Sequence, residues 1–284
     1  MRGFYRTMLV SVGLLSLVGV GATSAADLAP SGYATKSPAI RDPVYNWTGF
    51  YVGANAGGAW DRSSPSTTTV SSPIGYFPPV SIGDIALGGA QRINGSGFTG
   101  GLTTGYNWQV SSAVFGLEAD FNYFGVKGST SSTTAYTCCV PTTFTINSST
   151  SSDWLITLRP RAGFLATPQF LLYGTGGLAV ANLKANFLFT DTFAGATESA
   201  SISTTRVGWT VGGGGEYALL NGWSIKAEYL YVDLGRANAT STNLTLLGVF
   251  ASPANVFTHS TDLRSNIGRI GLNYKFGGPV VAKY

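Results

Sequence analysis

The stretch that most constrains the fold is residues 97–123, which read GFTGGLTTGYNWQVSSAVFGLEADFNY. In its first half Phe98, Leu102, Tyr106 and Trp108 fall on even positions, and Gly97, Thr99, Gly101, Thr103, Asn107 and Gln109 on odd ones. After the turn at 110–112 the alternation resumes. Ala113, Phe115, Leu117, Ala119, Phe121 and Tyr123 share one face, and Gly116, Glu118, Asp120 and Asn122 the other. Side chains of a strand point alternately to its two faces, so strict alternation means that the faces meet different media. One face here is aromatic and aliphatic, and the other is small, polar and charged. That combination fits a hairpin of a transmembrane β-barrel, with lipid outside and a polar interior.

The amino terminus fixes the compartment. Residues 1–26 carry Arg2 and Arg6, an apolar run at 8–20 and small residues at 21–26, the pattern of a secretory signal cut after Ala25 or Ala26. The apolar run is shorter than the ~20 residues that span a bilayer as a helix. No later stretch holds 18 consecutive apolar residues. Removing Arg2 and Arg6 from 17 basic residues leaves 15 against 13 acidic, an excess too small to argue for a nucleic-acid partner. The two cysteines are adjacent, which gives neither a disulfide framework nor metal-ligand spacing. No cofactor is implied.

The chain in order predicts eight strands. Residues 27–46 contain three prolines and read as a periplasmic linker. Strand one covers 47–60, with Phe50, Val52, Ala54 and Ala56 on one face. The opening hairpin supplies strands two and three. Strand four, 153–165, sets Trp154, Ile156, Leu158, Ala162 and Phe164 against Asp153, Thr157, Arg159, Arg161 and Gly163. Pro160 on its apolar face removes a ladder donor and predicts a bulge. Strand five, 170–182, is ambiguous in register: Leu172, Leu178 and Val180 suit lipid, whereas Tyr173 and Ala179 fall on the other face. Strand six, 205–219, sets Val207, Trp209, Val211, Tyr217 and Leu219 against Arg206, Gly208, Thr210, Gly212 and Glu216. Strand seven sets Trp223, Ile225, Ala227, Tyr229 and Tyr231 against Ser224, Lys226 and Glu228; strand eight, 264–276, sets Ile270, Leu272, Tyr274 and Phe276 against Arg269, Gly271, Asn273 and Lys275.

Connections alternate between long (61–95, 124–152, 183–204, 235–263) and short. Short periplasmic turns and four long external loops are the pattern of an outer-membrane barrel. The expected class is therefore all-β: an eight-stranded antiparallel up-and-down transmembrane β-barrel over 47–276, with a periplasmic tail at 277–284. In that arrangement Trp47, Trp108 and Trp223 mark the periplasmic interface and Trp60, Trp154 and Trp209 the external one, as an aromatic girdle.

The inward face then carries Glu118, Asp120, Arg159, Arg161, Arg206, Glu216, Lys226, Glu228 and Arg269, with Lys275 at its end. Buried charges need partners, so an interior network of salt bridges is expected, with Glu118 and Asp120 opposite Arg159 and Arg161. The alternative is a conducting or substrate-binding lumen. Eight strands enclose little more than their own side chains, which favours the network.

Three segments carry a family resemblance: NWTGFYVG at 46–53, LYGTGGLA at 172–179 and RIGLNYKFGGP at 269–279. They resemble the small outer-membrane β-barrel proteins of alphaproteobacteria, the RopB-like porin family of rhizobia, over roughly 47–279. The resemblance implies a barrel of the OmpA transmembrane type in the outer membrane, exported by a signal peptide, with envelope-structural, surface-contact or weak porin roles. It also implies contact with outer-membrane lipids, lipopolysaccharide and the barrel-insertion machinery, the last reading a terminal aromatic such as Phe276. A monomer is expected rather than an oligomer.

The remaining chemistry is sparse. His259 is the only histidine and stands beside Ser260. Small barrels that trim lipid A use a His and a Ser as base and nucleophile; the plainer reading is a polar residue in a Ser/Thr-rich loop. Cys138 and Cys139 either close a strained vicinal disulfide in an oxidising envelope or bridge to another chain. The run 212–215 of four glycines has no Lys-Ser/Thr after it and is not a phosphate loop. The function read from sequence is a non-enzymatic envelope barrel, with a narrow porin for small solutes as the alternative.

Overall fold

Tight alternation becomes one antiparallel sheet. The structure, a computed structural model, describes residues 45–70 and 72–277. The signal segment, most of the linker and residues 278–284 lie outside the described residues. The elements are β1 Gly49–Ser63, β2 Ser66–Thr69, α1 Pro79–Gly89, β3 Ile93–Val110, β4 Ala113–Ala135, β5 Thr143–Thr167, β6 Phe170–Asp191, β7 Thr197–Ala218, β8 Trp223–Ser241, β9 Thr245–Leu246, β10 Phe250–Ala251 and β11 Phe257–Lys275. Pairing runs from β1 through β3, β4, β5, β6, β7 and β8 to β11. β11 then pairs back along β1, from Tyr51↔Lys275 to Arg62↔Arg264. The sheet thus closes on itself, which removes the unpaired edges that invite aggregation.

The two faces separate sharply. Phe50, Phe98, Leu102, Phe115, Phe121, Leu178, Val207, Ile225 and Ile270 all point outward and are exposed. So many large apolar side chains in one continuous belt are not found on proteins that face water. Among the described residues no helix is long and apolar enough to cross a bilayer, which says nothing of strands. On β6 the ambiguity resolves with Leu172 and Leu178 outward and Tyr173 and Ala179 buried inside.

The strands run far beyond the lengths that apolar alternation marks. β5 has 25 residues, roughly 80 Å of strand at ~3.3 Å each, against the ~9–11 residues that cross a bilayer. The stretches 124–152, 183–204 and 235–263, expected as loops, are largely paired strand. Their composition misleads because the outward side chains there are mostly polar, Ser and Thr above all, with Lys127, Lys184 and Arg236 among them. The inward ones include Phe144, Ile146, Phe187, Phe189 and Phe257, all buried. The stretch 61–95 also departs from a loop: it holds β2, which pairs with β11, and α1.

Two irregularities hide this continuity from a period-two reading. At Asp153–Trp154 β5 changes which parity faces inward, from Leu155, Thr157 and Arg159 to Ser152, Thr150 and Ser148. The two N–H groups freed there, of Asp153 and Trp154, donate to Asn182 Oδ1 at 2.8 and 3.1 Å. β8 makes the same change at Gly235, whose φ of 69° favours glycine. The bulge expected at Pro160 is absent. The β5–β6 ladder resumes in the same register on either side, Leu158↔Leu178 and Arg161↔Thr175, and omits only the bridges that a residue without N–H cannot make.

α1 begins on Pro79, whose missing N–H costs nothing in a first helical turn. It packs against β2, β4 and β5 through buried Ile85. Gly89 allows the approach, since a Cβ there would stand 2.3 Å from the Thr67 carbonyl oxygen. Asp84 fastens the helix to the β4–β5 turn by accepting from the N–H and hydroxyl of Thr137, at 2.8 and 2.7 Å.

Candidate functional site

The interior is stacked in layers, and the central one is charged. Glu118 and Asp120 of β4, Arg159 and Arg161 of β5, Glu216 of β7, Lys226 and Glu228 of β8 and Arg269 of β11 meet there, all buried. Arg159 is the hub. Its Nη2 donates to Glu118 at 2.6 Å and to Asp120 at 2.5 Å, its Nη1 to Glu228 at 3.1 Å and its Nε to Thr157 at 3.1 Å. Arg269 Nη2 reaches Glu228 at 2.6 Å and Asp120 at 3.0 Å. Arg161 donates to Glu216 at 2.6 Å and lies over the Tyr173 ring, 4.3 Å from its centroid. Lys226 Nζ donates to Glu118 at 2.8 Å. Four carboxylates balance four cations, so the layer carries no net charge.

Neutral donors complete it. Tyr51 donates to Glu118 at 2.7 Å and Tyr173 to Glu228 at 3.0 Å. Thr103 and Thr157 donate to Asp120 at 2.7 and 2.8 Å, and Ser224 and Asn273 to Glu216 at 2.6 and 2.9 Å. Each buried carboxylate is therefore held by both charged and neutral groups, the condition for tolerating a charge out of water. The opposition of Glu118 to Arg159 follows directly from register. The neutral contribution of Tyr51, Tyr173, Thr103 and Ser224 is not singled out by reading charges alone; their inward parity is the signal that marks them.

Apolar layers close the charged one on both sides. At the short-turn end Trp47 is 1% exposed and packs with Val114, Leu171, Tyr173 and Ala218, its indole N–H donating to the Pro168 carbonyl at 3.3 Å. Trp47 therefore sits in the mouth rather than on the outer girdle. The chain enters β1 through Gly49, whose φ of 141° favours glycine, and the residues before it turn inward. Toward the far end Phe124, Leu155, Leu183, Phe187, Leu230 and Leu263 fill the interior. Above them Phe77, Ile85, Phe144, Phe189 and Phe257 form a cap to which α1 contributes. Tyr76 and Tyr136 both donate to Asp191 there, at 2.7 and 3.3 Å. Burial, and then that carboxylate, push both phenols well above their ordinary pKa.

The other candidate residues are dispersed. Arg206 is not in the charged layer. It stands where β7 and β8 part beyond Trp209↔Asp233, and its Nη2 donates to the Arg236 carbonyl at 2.6 Å, bridging the gap. Lys275 lies at the short-turn mouth with its Nζ 5.2 Å from the Tyr45 ring centroid. Trp60, Trp108, Trp209 and Trp223 are exposed at the two margins of the apolar belt, and Trp154 is half-buried there. Cys138 and Cys139 are joined to each other in the β4–β5 turn. His259 and Ser260 make separate contacts. The ring is buried between Thr67, 2.9 Å from Nδ1, and Glu198, 3.1 Å from Nε2, while Ser260 pairs with Ser66 at 2.7 Å. Adjacent residues of a strand face opposite ways, which keeps this base and this hydroxyl apart.

Comparison with known proteins agrees with this architecture. The family model described as outer membrane protein beta-barrel domain matches residues 12–276. The 31 kDa outer-membrane immunogenic protein of Brucella melitensis is 35% identical over 273 residues, covering 94% of this chain and 99% of that protein. The 22 kDa outer membrane protein of Rhizobium leguminosarum bv. viciae is 33% identical over 156 residues, 52% of this chain and 62% of that one. Among solved structures, the outer membrane protein OprG from Pseudomonas aeruginosa aligns with a TM-score of 0.46 at 16% identity, over 84% of this chain and all of that one. With a closed antiparallel sheet, an apolar outer belt and a family match over nearly its whole length, the chain belongs to the outer-membrane protein β-barrel domain family and resides in the outer membrane.

Proposed function

We propose that the chain is an eight-stranded transmembrane barrel with a filled interior, its short turns in the periplasm, serving envelope integrity and surface contact rather than catalysis. The observation that carries this reading is the succession of buried side-chain layers from Trp47 through the charged layer to Phe257. A barrel of this size is filled by its own inward residues. His259 is buried together with its neighbours Thr67 and Glu198, out of reach of an external substrate, which supports the non-enzymatic reading. The relatives named outer-membrane immunogenic proteins support exposure of the far end to the outside.

A narrow porin is the second reading. It is favoured by inward amide atoms without protein partners among the described residues, both side-chain atoms of Asn122 and the Oδ1 atoms of Asn107 and Asn273. Such atoms bond water where space allows. Planar-bilayer recording of the purified protein decides between the two. The filled barrel gives no discrete steps; reproducible unitary steps overturn it in favour of the porin.

A further inference from the structure

Three arginines converge on the outer wall just beyond the lipid belt. Arg62 of β1 and Arg264 of β11 are direct cross-strand neighbours and both point outward. Arg92, one residue before β3, is exposed beside them. Together with Ser64, Asn94 and Tyr231 they line a pocket of about 650 Å³. Arg264 is partly engaged, with Asp233 at 3.2 Å and Asp262 at 3.5 Å. Asp262 also accepts from the Ser64 N–H at 2.6 Å. Arg62 and Arg92 pair with no carboxylate among the described residues. Like charges set directly opposite one another on a sheet repel, and among the described residues only Arg264 of the three has carboxylates beside it, which leaves the cluster with an excess of positive charge.

The height of the pocket identifies the anion. Trp60, the outward residue two positions before Arg62, is exposed at the margin of the apolar belt. Indole rings settle at the headgroup level. Two residues of strand add about 7 Å, which carries the guanidinium groups to where the charged parts of outer-leaflet lipids lie. Lys127 of β4, exposed and outward two strands from Trp60 along the Trp60↔Ser96↔Lys127 register, adds a further cation to the same side of the wall. Guanidinium forks match phosphate and carboxylate oxygens in pairs. A pocket of this volume has room for a charged sugar.

We propose that Arg62, Arg92 and Arg264 form a binding site for a phosphate group on the saccharide headgroup of an outer-leaflet glycolipid. This rests on the transmembrane orientation proposed above. The lipid tails run down beside Trp60 and Tyr229 along the apolar belt, and the headgroup sits among the three guanidinium groups. Asp233 and Asp262 hold Arg264 in place from the side.

The test uses the full-length protein refolded in detergent, alongside R62Q/R92Q, which leaves Arg264 and its carboxylates intact. Native mass spectrometry measures retention of diphosphoryl lipid A, of dephosphorylated lipid A, and of diphosphoryl lipid A with excess inorganic phosphate. The wild-type protein is expected to retain the diphosphoryl form about tenfold better than the dephosphorylated one, and the double variant to lose that preference. Equal retention of the two lipids by the wild type, or the same preference in the variant, overturns the proposal. Displacement by inorganic phosphate alone makes the site one for free phosphate and overturns the lipid assignment. Heat-dependent gel mobility and insertion into phospholipid vesicles are measured on the same preparations. Failure to insert overturns the transmembrane reading, whereas an inserted protein without lipid preference overturns only the site.

Discussion

Replacing Arg159 by Met removes the hub of the charged layer while keeping most of its volume. Arg159 touches three carboxylates, Glu118, Asp120 and Glu228. At an effective dielectric of about 20, two unit charges 4 Å apart interact by about 4 kcal/mol, so the gross attraction is about 12 kcal/mol. Desolvation of the guanidinium, several kcal/mol, and repulsion from Arg161 and Arg269 oppose it. The carboxylates do not lose every partner. Glu118 keeps Arg161 and Lys226, and Asp120 and Glu228 keep Arg269. The expected loss is therefore about 3 kcal/mol, the lower part of the 3–5 kcal/mol typical for breaking a buried pair. R159M/D120N removes one charge of each sign and restores neutrality, so it should recover at least about half of that loss. Urea unfolding in phospholipid vesicles, followed by tryptophan fluorescence and unboiled gel mobility, gives both values. A single variant within about 1 kcal/mol of wild type, or a double variant carrying the sum of both single losses, refutes the argument that charge balance governs this layer.

Three further perturbations test other layers. Trp47→Ala opens a cavity in the short-turn mouth and should cost about 3–5 kcal/mol in the same unfolding assay; a value near zero means the indole does not pack there in the membrane. Gly89→Ala sets a methyl group 2.3 Å from the Thr67 carbonyl oxygen and should cost about 1–3 kcal/mol, with faster proteolysis within 79–89; unchanged cleavage refutes the close approach. Leu102→Arg, on a side chain 67% exposed in the middle of the apolar belt, should cost about 2–4 kcal/mol, whereas Ser131→Arg, outward on the extended wall, should stay within about 0.5 kcal/mol. Equal effects of those two changes contradict the assigned depth of the belt.

The hairpin at 97–123 was legible because lipid and a charged interior impose opposite chemistry on alternate residues. Glu118 and Arg159 could be paired on paper for the same reason: strict register carries one assignment to the next strand. Legibility ended where the outer medium changed from lipid to water. Beyond Tyr123 the outward side chains become Ser and Thr, so both faces of a strand no longer differ in the way that marks lipid. The inward phenylalanines at 144 and 257 then stand isolated in polar sequence, and Phe187 and Phe189 flank an outward Leu188 that blurs the alternation. The parity changes at Asp153–Trp154 and at Gly235 compound this, since a period-two reading carried across either one assigns every later side chain to the wrong face. Arg206 illustrates a different limit. Its parity is inward, but the parting of β7 from β8 gives it backbone carbonyls to bind, and a gap between strands has no sequence signature. Trp47 illustrates a third: it precedes the first paired residue, so strand parity does not apply to it.

The paired extension of β4 to β7 past the apolar belt bears on how the sequence of that end can vary. In a tethered loop almost any replacement, insertion or deletion is tolerated. In a hydrogen-bonded wall an insertion shifts register for every residue after it, so drift is restricted to outward side chains and to tips such as 136–142 and 192–196. Side chains contributed by neighbouring strands then form a discontinuous epitope whose shape depends on register. Sera raised against denatured protein should recognise the tips and miss the wall.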